Sequence, residues 1–286
     1  MNPKHALFQK FPLNGTTRLS TGDAPTPYHV YDGYGLFIGG SAEYAVASEL
    51  LRHEELVPVR TTEGKAMMGI WLCNFGEASL GAHLELQFSI FAAPKPIVDL
   101  SPHPLALSAA MITRPDMQML CHGLWNNTAQ VVAYNRELLG LNARLTAGRI
   151  EQGQGSFQFT FNDLAADNDT ATGGSICSGQ MQWVTRQPMI AGFALGRLVG
   201  FRRLAQNNSQ PWFEMNVINP KGVRFEQNLA APTYTKNDQT FLRYFNPASD
   251  QLQITHPLYQ RLLFTPYFVQ QMAGFKFVYL TPNAQK

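Results

Sequence analysis

Hydrophobic and polar residues alternate with period two along several short stretches of this chain, and these define the expected strands. The clearest pair is 143–151 and 156–162, where Phe157, Phe159 and Phe161 alternate with Gln158 and Thr160 and the glycines at 153 and 155 supply a turn. Residues 83–91 alternate too: His83, Glu85 and Gln87 share one face, and Leu84, Leu86, Phe88 and Ile90 the other. Residues 66–75 are continuously apolar and predict a central strand. Further strands are expected at 35–39, 56–60, 175–185, 212–218, 222–226, 240–245, 251–254 and 275–280. Residues 117–124 and 189–205 are ambiguous.

Helices are fewer. One is expected at 42–52, capped by Ser41, with Ala45, Val46, Leu50 and Leu51 inward. A second begins at Asn126 or Asn127, and a short third spans 257–264. Roughly ten short strands at about ten-residue spacing predict a mainly β chain with a few helices (α+β), folded as a barrel or sandwich. Residues 1–27 are broken by Pro3, Pro12, Gly15, Gly22, Pro25 and Pro27. They are expected to form an irregular arm that lies over the domain or touches a neighbouring subunit, leaving 28–286 as a single domain.

Composition narrows the function. The chain has 286 residues, 45% of them hydrophobic, with 15% charged and a formal net charge of +2. No basic stripe suits nucleic acid. Cys73, Cys121 and Cys177 are odd in number and widely spaced, which favours a reducing cytoplasm over a disulfide framework. The N-terminus lacks a signal-peptide core. The most apolar window, 189–201, is interrupted by Arg197 and too short to span a bilayer, so no membrane is expected. The histidines are scattered without zinc spacing, and no phosphate loop follows a strand. A small-molecule substrate, no cofactor, no metal and a homo-oligomer are the expectation.

Residues 132–145 carry the most information. Tyr134, Glu137, Leu138 and Leu141 fall on one helical face, Gly140 stands where that helix would stop, and a strand follows. The run Asn135-Arg136-Glu137-Leu138 through Ala143-Arg144-Leu145 resembles the signature of the acetoacetate decarboxylase family, Gly-Arg-Glu followed by aromatic-Pro-Lys-Lys-Leu. In that family the first lysine forms a Schiff base with a keto acid and the second lowers its pKa. On this chain those positions hold Ala143 and Arg144, so the catalytic amine is missing. Two more segments resemble the family in order: 35–44, and Gly81-Ala82-His83-Leu84-Glu85, where the family has Gly-Pro-Tyr-x-Glu with the glutamate in the active site. The resemblance covers about residues 28–282. It implies a bent antiparallel β-barrel or double-sheet cone enclosing a cavity.

Glu85 and His83 are the candidate catalytic residues. If their face lines a dry cavity they form an acid/base pair, with the Glu85 pKa raised by burial; otherwise that face is the solvated side of an antiparallel sheet. Arg136, Arg144, Asn142 and Glu137 form the expected substrate-binding set. Arg136 or Arg144 would hold a carboxylate or enolate oxygen, although Arg136 and Glu137 also fit a solvated pair, with Arg136 bracing 140–144. Among the internal lysines, Lys276 alone is placed to face a cavity, between Phe275 and Phe277. The expected function is a lyase-like enzyme acting without an imine on a keto acid or another enolisable, polyketide-like compound, by decarboxylation, cyclisation or dehydration. The alternative is a non-catalytic binding homologue that has lost the family lysine, which Ala143 favours. A scaffolding β-sandwich is the third reading.

Overall fold

The computed structural model describes residues 4–164, 174–185 and 213–282. The segment 189–205, with its apolar window, therefore lies outside the described residues, as does most of the polar loop 163–174. The described strands are β1 (Gly15–Leu19), β2 (Gly22–Thr26), β3 (Tyr28–Ala42), β4 (Val57–Pro58), β5 (Ala66–Ala78), β6 (His83–Ala93) and β7 (Gln118–Asn126). They continue with β8 (Ala143–Gln152), β9 (Ser156–Asp163), β10 (Ser175–Gln182), β11 (Phe213–Ile218), β12 (Ala230–Tyr244), β13 (Gln251–Ile254) and β14 (Thr265–Tyr279). The helices are α1 (Ala6–Lys10), α2 (Tyr44–Leu50), α3 (Pro104–Thr113), α4 (Ala129–Ala133) and α5 (Pro257–Gln260).

Seven strands close a barrel in the order β7-β11-β12-β14-β3-β5-β6, with β6 pairing back to β7. The barrel is mixed rather than antiparallel, because β11 runs parallel to β7. Strand β7 forks: Met119 and Leu120 pair with β11, while Leu124 to Asn126 pair with β8. From that fork β8, β9, β10 and β13 continue as a second, antiparallel sheet.

This layout buries both faces of the central strands. One face of β3, β5 and β6, with Cys73, Phe75 and Phe91, fills the barrel. The opposite face, with Leu72, Leu86, Phe88 and Ile90, packs against Phe157, Phe159 and Phe161 of the second sheet and against α2 and α5. A strand buried on both faces has no solvated side. One end of the barrel is filled by aromatic rings, Phe37 lying 5.8 Å from Phe268 and 6.4 Å from Phe91. Gly39 makes this possible, since a Cβ there would stand 2.2 Å from the Phe268 ring.

Several sequence expectations change. Residues 1–27 are not irregular: they hold α1 and the β1–β2 hairpin, elements of five residues each, too short to show a period. Leu7 and Phe8 pack against Val278 of β14, so the arm lies on its own barrel. Ser41 lies within β3, which runs to Ala42, and Glu43 occupies the N-cap of α2. Residues 222–226 form a turn closed by a Gly222 N–H donating to Phe225 O at 2.9 Å, not a strand. Residues 117–124 resolve into strand β7.

Candidate active site

Beside the aromatic plug, where the Trp71 ring lies 4.6 Å from that of Phe37, is a cavity of about 40 Å³, room for roughly three waters. Trp71, Phe75, Met119, Leu124, Phe275 and Phe277 give it apolar walls, and Glu85, Tyr28, Cys73, Asn135 and Tyr279 bring polar atoms. Glu85 is on β6, opposite Cys73 of β5 and Asn126 of β7. Its period-two position turns it into the barrel. It is half-buried, with part of its surface opening onto the cavity. Burial pushes its pKa up to about 7, against the opposing pull of the Asn126 amide, which donates to Oε2 at 3.2 Å. Asn135 Nδ2 in turn donates to Asn126 Oδ1 at 2.9 Å, so two buried amides fix the carboxyl in place.

His83 is buried but does not border the cavity. Its Nδ1 lies 2.8 Å from Gly81 O, which can only accept, so Nδ1 carries the proton. Nε2 is then the acceptor, and the Tyr28 hydroxyl donates to it at 2.7 Å. Burial lowers the His83 pKa to about 4, only partly offset by the Gly81 carbonyl. This neutral imidazole therefore orients Tyr28, and Tyr28 stands between it and the cavity as the bordering side chain. Burial also holds the Tyr28 phenol and the Cys73 thiol well above their usual ranges, so both stay protonated. The Tyr279 hydroxyl is buried at the cavity wall without a hydrogen-bond partner.

The segment after β7 reaches the cavity through different residues from those expected. α4 passes into a π turn at Tyr134–Leu138, with Leu139 N–H donating to Tyr134 O at 3.3 Å. The wider turn shifts the helical phase, and Asn135 rotates inward. Gly140, at φ +71°, ends the turn with Phe225 packed where a Cβ would stand. Leu141 then borders the cavity, and Ala143, on the same side by alternation, is fully buried in the barrel core.

None of Arg136, Glu137, Asn142 and Arg144, the expected substrate-binding set, is among the described residues that border the cavity. Arg136 is exposed and donates to Ala143 O at 3.3 Å, bracing the loop. Glu137 accepts from the Ser20 backbone N–H at 2.9 Å and from the Ser20 hydroxyl, clamping the β1–β2 turn. Asn142 Nδ2 donates to His122 O at 3.4 Å. Arg144 is exposed beside His122 and His256, where its charge helps to lower both imidazole pKa values. Lys276 also points away: Phe275 and Phe277 take the cavity side, and its Nζ donates to Asp238 Oδ2 at 2.8 Å. No lysine is among the described residues bordering the cavity. No group of three or more His, Cys, Asp or Glu that could hold a metal stands together among the described residues. No helix among them is long and apolar enough to cross a membrane.

Tyr28, Asn126, Asn135 and Tyr279 were not singled out from the sequence. Nothing in it marks an asparagine or tyrosine as inward-facing when both faces of a strand carry apolar residues.

The chain has the acetoacetate decarboxylase fold, built here around one enclosed carboxyl group. An acetoacetate decarboxylase from Legionella pneumophila subsp. pneumophila str. Philadelphia 1 superposes with a TM-score of 0.59 at 8% identity, covering 99% of this chain and 96% of that one. A second acetoacetate decarboxylase aligns at a TM-score of 0.49 and 10% identity over 89% of this chain and 87% of its own. The enduracididine biosynthesis enzyme MppR complexed with pyruvate aligns at 0.47 and 9% over 92% of this chain and 90% of its own. Neither a known family profile nor a curated protein sequence matches the chain.

Proposed function

We propose that this chain is a lyase-like enzyme that acts by acid/base chemistry, without an imine, on an enolisable carbonyl compound, the class that takes in keto acids and polyketide-like molecules. The observation that carries this reading is Glu85, a carboxyl held near pKa 7 at a cavity that no lysine borders among the described residues. A carboxyl poised there exists in both protonation states at neutral pH. It can remove a proton α to a carbonyl as the carboxylate and return one as the acid. The apolar walls keep water from competing, and the amides of Asn126 and Asn135 hold the carboxyl still while it works. Decarboxylation, cyclisation and dehydration each pass through such a proton shift at an enolate.

The test is Glu85→Gln assayed with a panel of enolisable ketones and keto acids. Turnover should fall by about 10²–10⁴-fold, the usual contribution of a general acid or base, with ligand affinity retained. A panel that the wild-type protein binds without converting would mark it as a binding homologue instead. Borohydride added with a keto acid should leave no adduct on any lysine, and a trapped mass on one would overturn the imine-free reading.

A further inference from the structure

We propose that Asn135 sets the specificity of the barrel cavity: its Oδ1 accepts the hydroxyl of a substrate that carries an O–H beside its carbonyl, a hydroxy ketone rather than a simple ketone. This deepens the reading of the Glu85 cavity as a substrate site and rests on it.

A backbone carbonyl decides which way the amides lie. Leu84 O can only accept a hydrogen bond, and Asn126 Nδ2 stands 3.3 Å from it. The Asn126 nitrogen therefore faces Leu84 O and Glu85 Oε2, and its oxygen faces Asn135. Asn135 must turn its own nitrogen to that oxygen, at 2.9 Å, which leaves Asn135 Oδ1 over. No described group donates to Oδ1, and it is not among the unpartnered polar atoms that protein seals off, as the Tyr279 hydroxyl is. Asn135 is a buried residue that borders the cavity, so this oxygen opens there. Gln87, also at the wall, has no such fixed direction, because its partner is the Ser89 hydroxyl, which can donate or accept.

The chain of amides thus ends in an oxygen that can only accept. A ketone oxygen also only accepts and gains nothing from it. A hydroxyl donates, and it satisfies an oxygen that would stand unpaired once a ligand displaced the cavity water. The Thr235 hydroxyl borders the cavity, has no described side-chain partner and is not sealed off, so it can donate to the carbonyl oxygen. Glu85, two hydrogen bonds away along the same chain, remains free to act on the adjacent carbon.

Hydroxyacetone and butanone have equal numbers of heavy atoms and differ in a hydroxyl against a methyl group, so the cost of fitting the cavity is common to both. Each is titrated into the intact protein and followed by heat. Hydroxyacetone is expected to bind at least about tenfold more tightly than butanone, the equivalent of one hydrogen bond. A wall without a fitted acceptor gives the reverse order, because a hydroxyl costs more to take out of water than a methyl group does. Asn135→Leu should close or invert the gap, and Glu85→Gln should keep it. Asn126 Oδ1 loses its donor in Asn135→Leu, so thermal melting checks the fold, and the wild-type and Glu85→Gln arms decide the proposal if that variant does not fold. Butanone binding as tightly as hydroxyacetone, neither compound binding at high millimolar concentration, or a gap that survives Asn135→Leu or is lost with Glu85→Gln overturns the proposal. These outcomes are separate from the Glu85 turnover result: hydroxyl selection measured in wild-type protein stands or falls whether or not Glu85 moves protons.

Discussion

The inner face of β6 and the segment 134–144 both carry polar residues of the kinds enzymes use, and the fold treats them oppositely. In 134–144 the charges are partnered or wet: Arg136 on a backbone carbonyl, Glu137 on Ser20, Arg144 at the surface. On β6, Glu85 has one amide donor and, among the described residues, no cation at the cavity wall. Partnered or solvated charges stabilise local structure modestly and keep ordinary chemistry. An enclosed, under-compensated carboxyl is costly to fold and is poised to exchange a proton. The residues most like a signature motif thus lie away from the cavity, and the carboxyl that borders it stands on a strand of ordinary appearance.

The strongest way to break this comparison is the pH dependence of stability. The Glu85 pKa in the folded protein, about 7, lies above its usual 4.5, so folding disfavours the ionised form. The penalty is absent below pH 4.5, grows between 4.5 and 7, and is full above 7. His83, lowered from 6.5 to about 4, acts in the opposite sense, losing stability as pH falls through that window. Subtraction therefore isolates Glu85: chemical denaturation should show Glu85→Gln gaining on the wild-type protein by on the order of 3 kcal/mol as pH rises from 4.5 to above 7. Parallel curves would mean that Glu85 is not enclosed.

A smaller effect sharpens the interior side of the comparison. Tyr28→Phe leaves His83 Nε2 buried without a donor and should cost about 1–3 kcal/mol in urea denaturation, because water cannot replace the lost hydroxyl. The smallest effect tests the surface side. Glu137→Ala releases Ser20, but water can take over both donors, so the loss should stay below about 1 kcal/mol with turnover unchanged. A Glu137→Ala loss as large as that of Tyr28→Phe would erase the distinction between the two regions.

Much of the fold was legible along the chain. The alternation at 83–91 placed Glu85 and His83 on one face, the phenylalanines of 156–162 marked a strand, and Gly140 marked the end of a helix. Alternation also put Lys276 opposite Phe275 and Phe277, although not which side faces inward. Asn135 was hidden for a local reason: a π turn breaks the 3.6-residue period on which its orientation would be judged. The N-terminal hairpin was hidden because five-residue strands show too little period, and because its anchor, Glu137, lies 117 residues away.

The sequence by itself determined the strand series and the face that Glu85 shares. Only the tertiary structure decided that this face looks into a cavity and that Arg136, Glu137 and Arg144 lie away from it. The reason is physical. Period two assigns residues to faces, but which face becomes the interior depends on long-range pairing: β6 on β7 closes the barrel, and β8 to β10 cover its outside. That closure, rather than any residue type, buries Glu85 and raises its pKa.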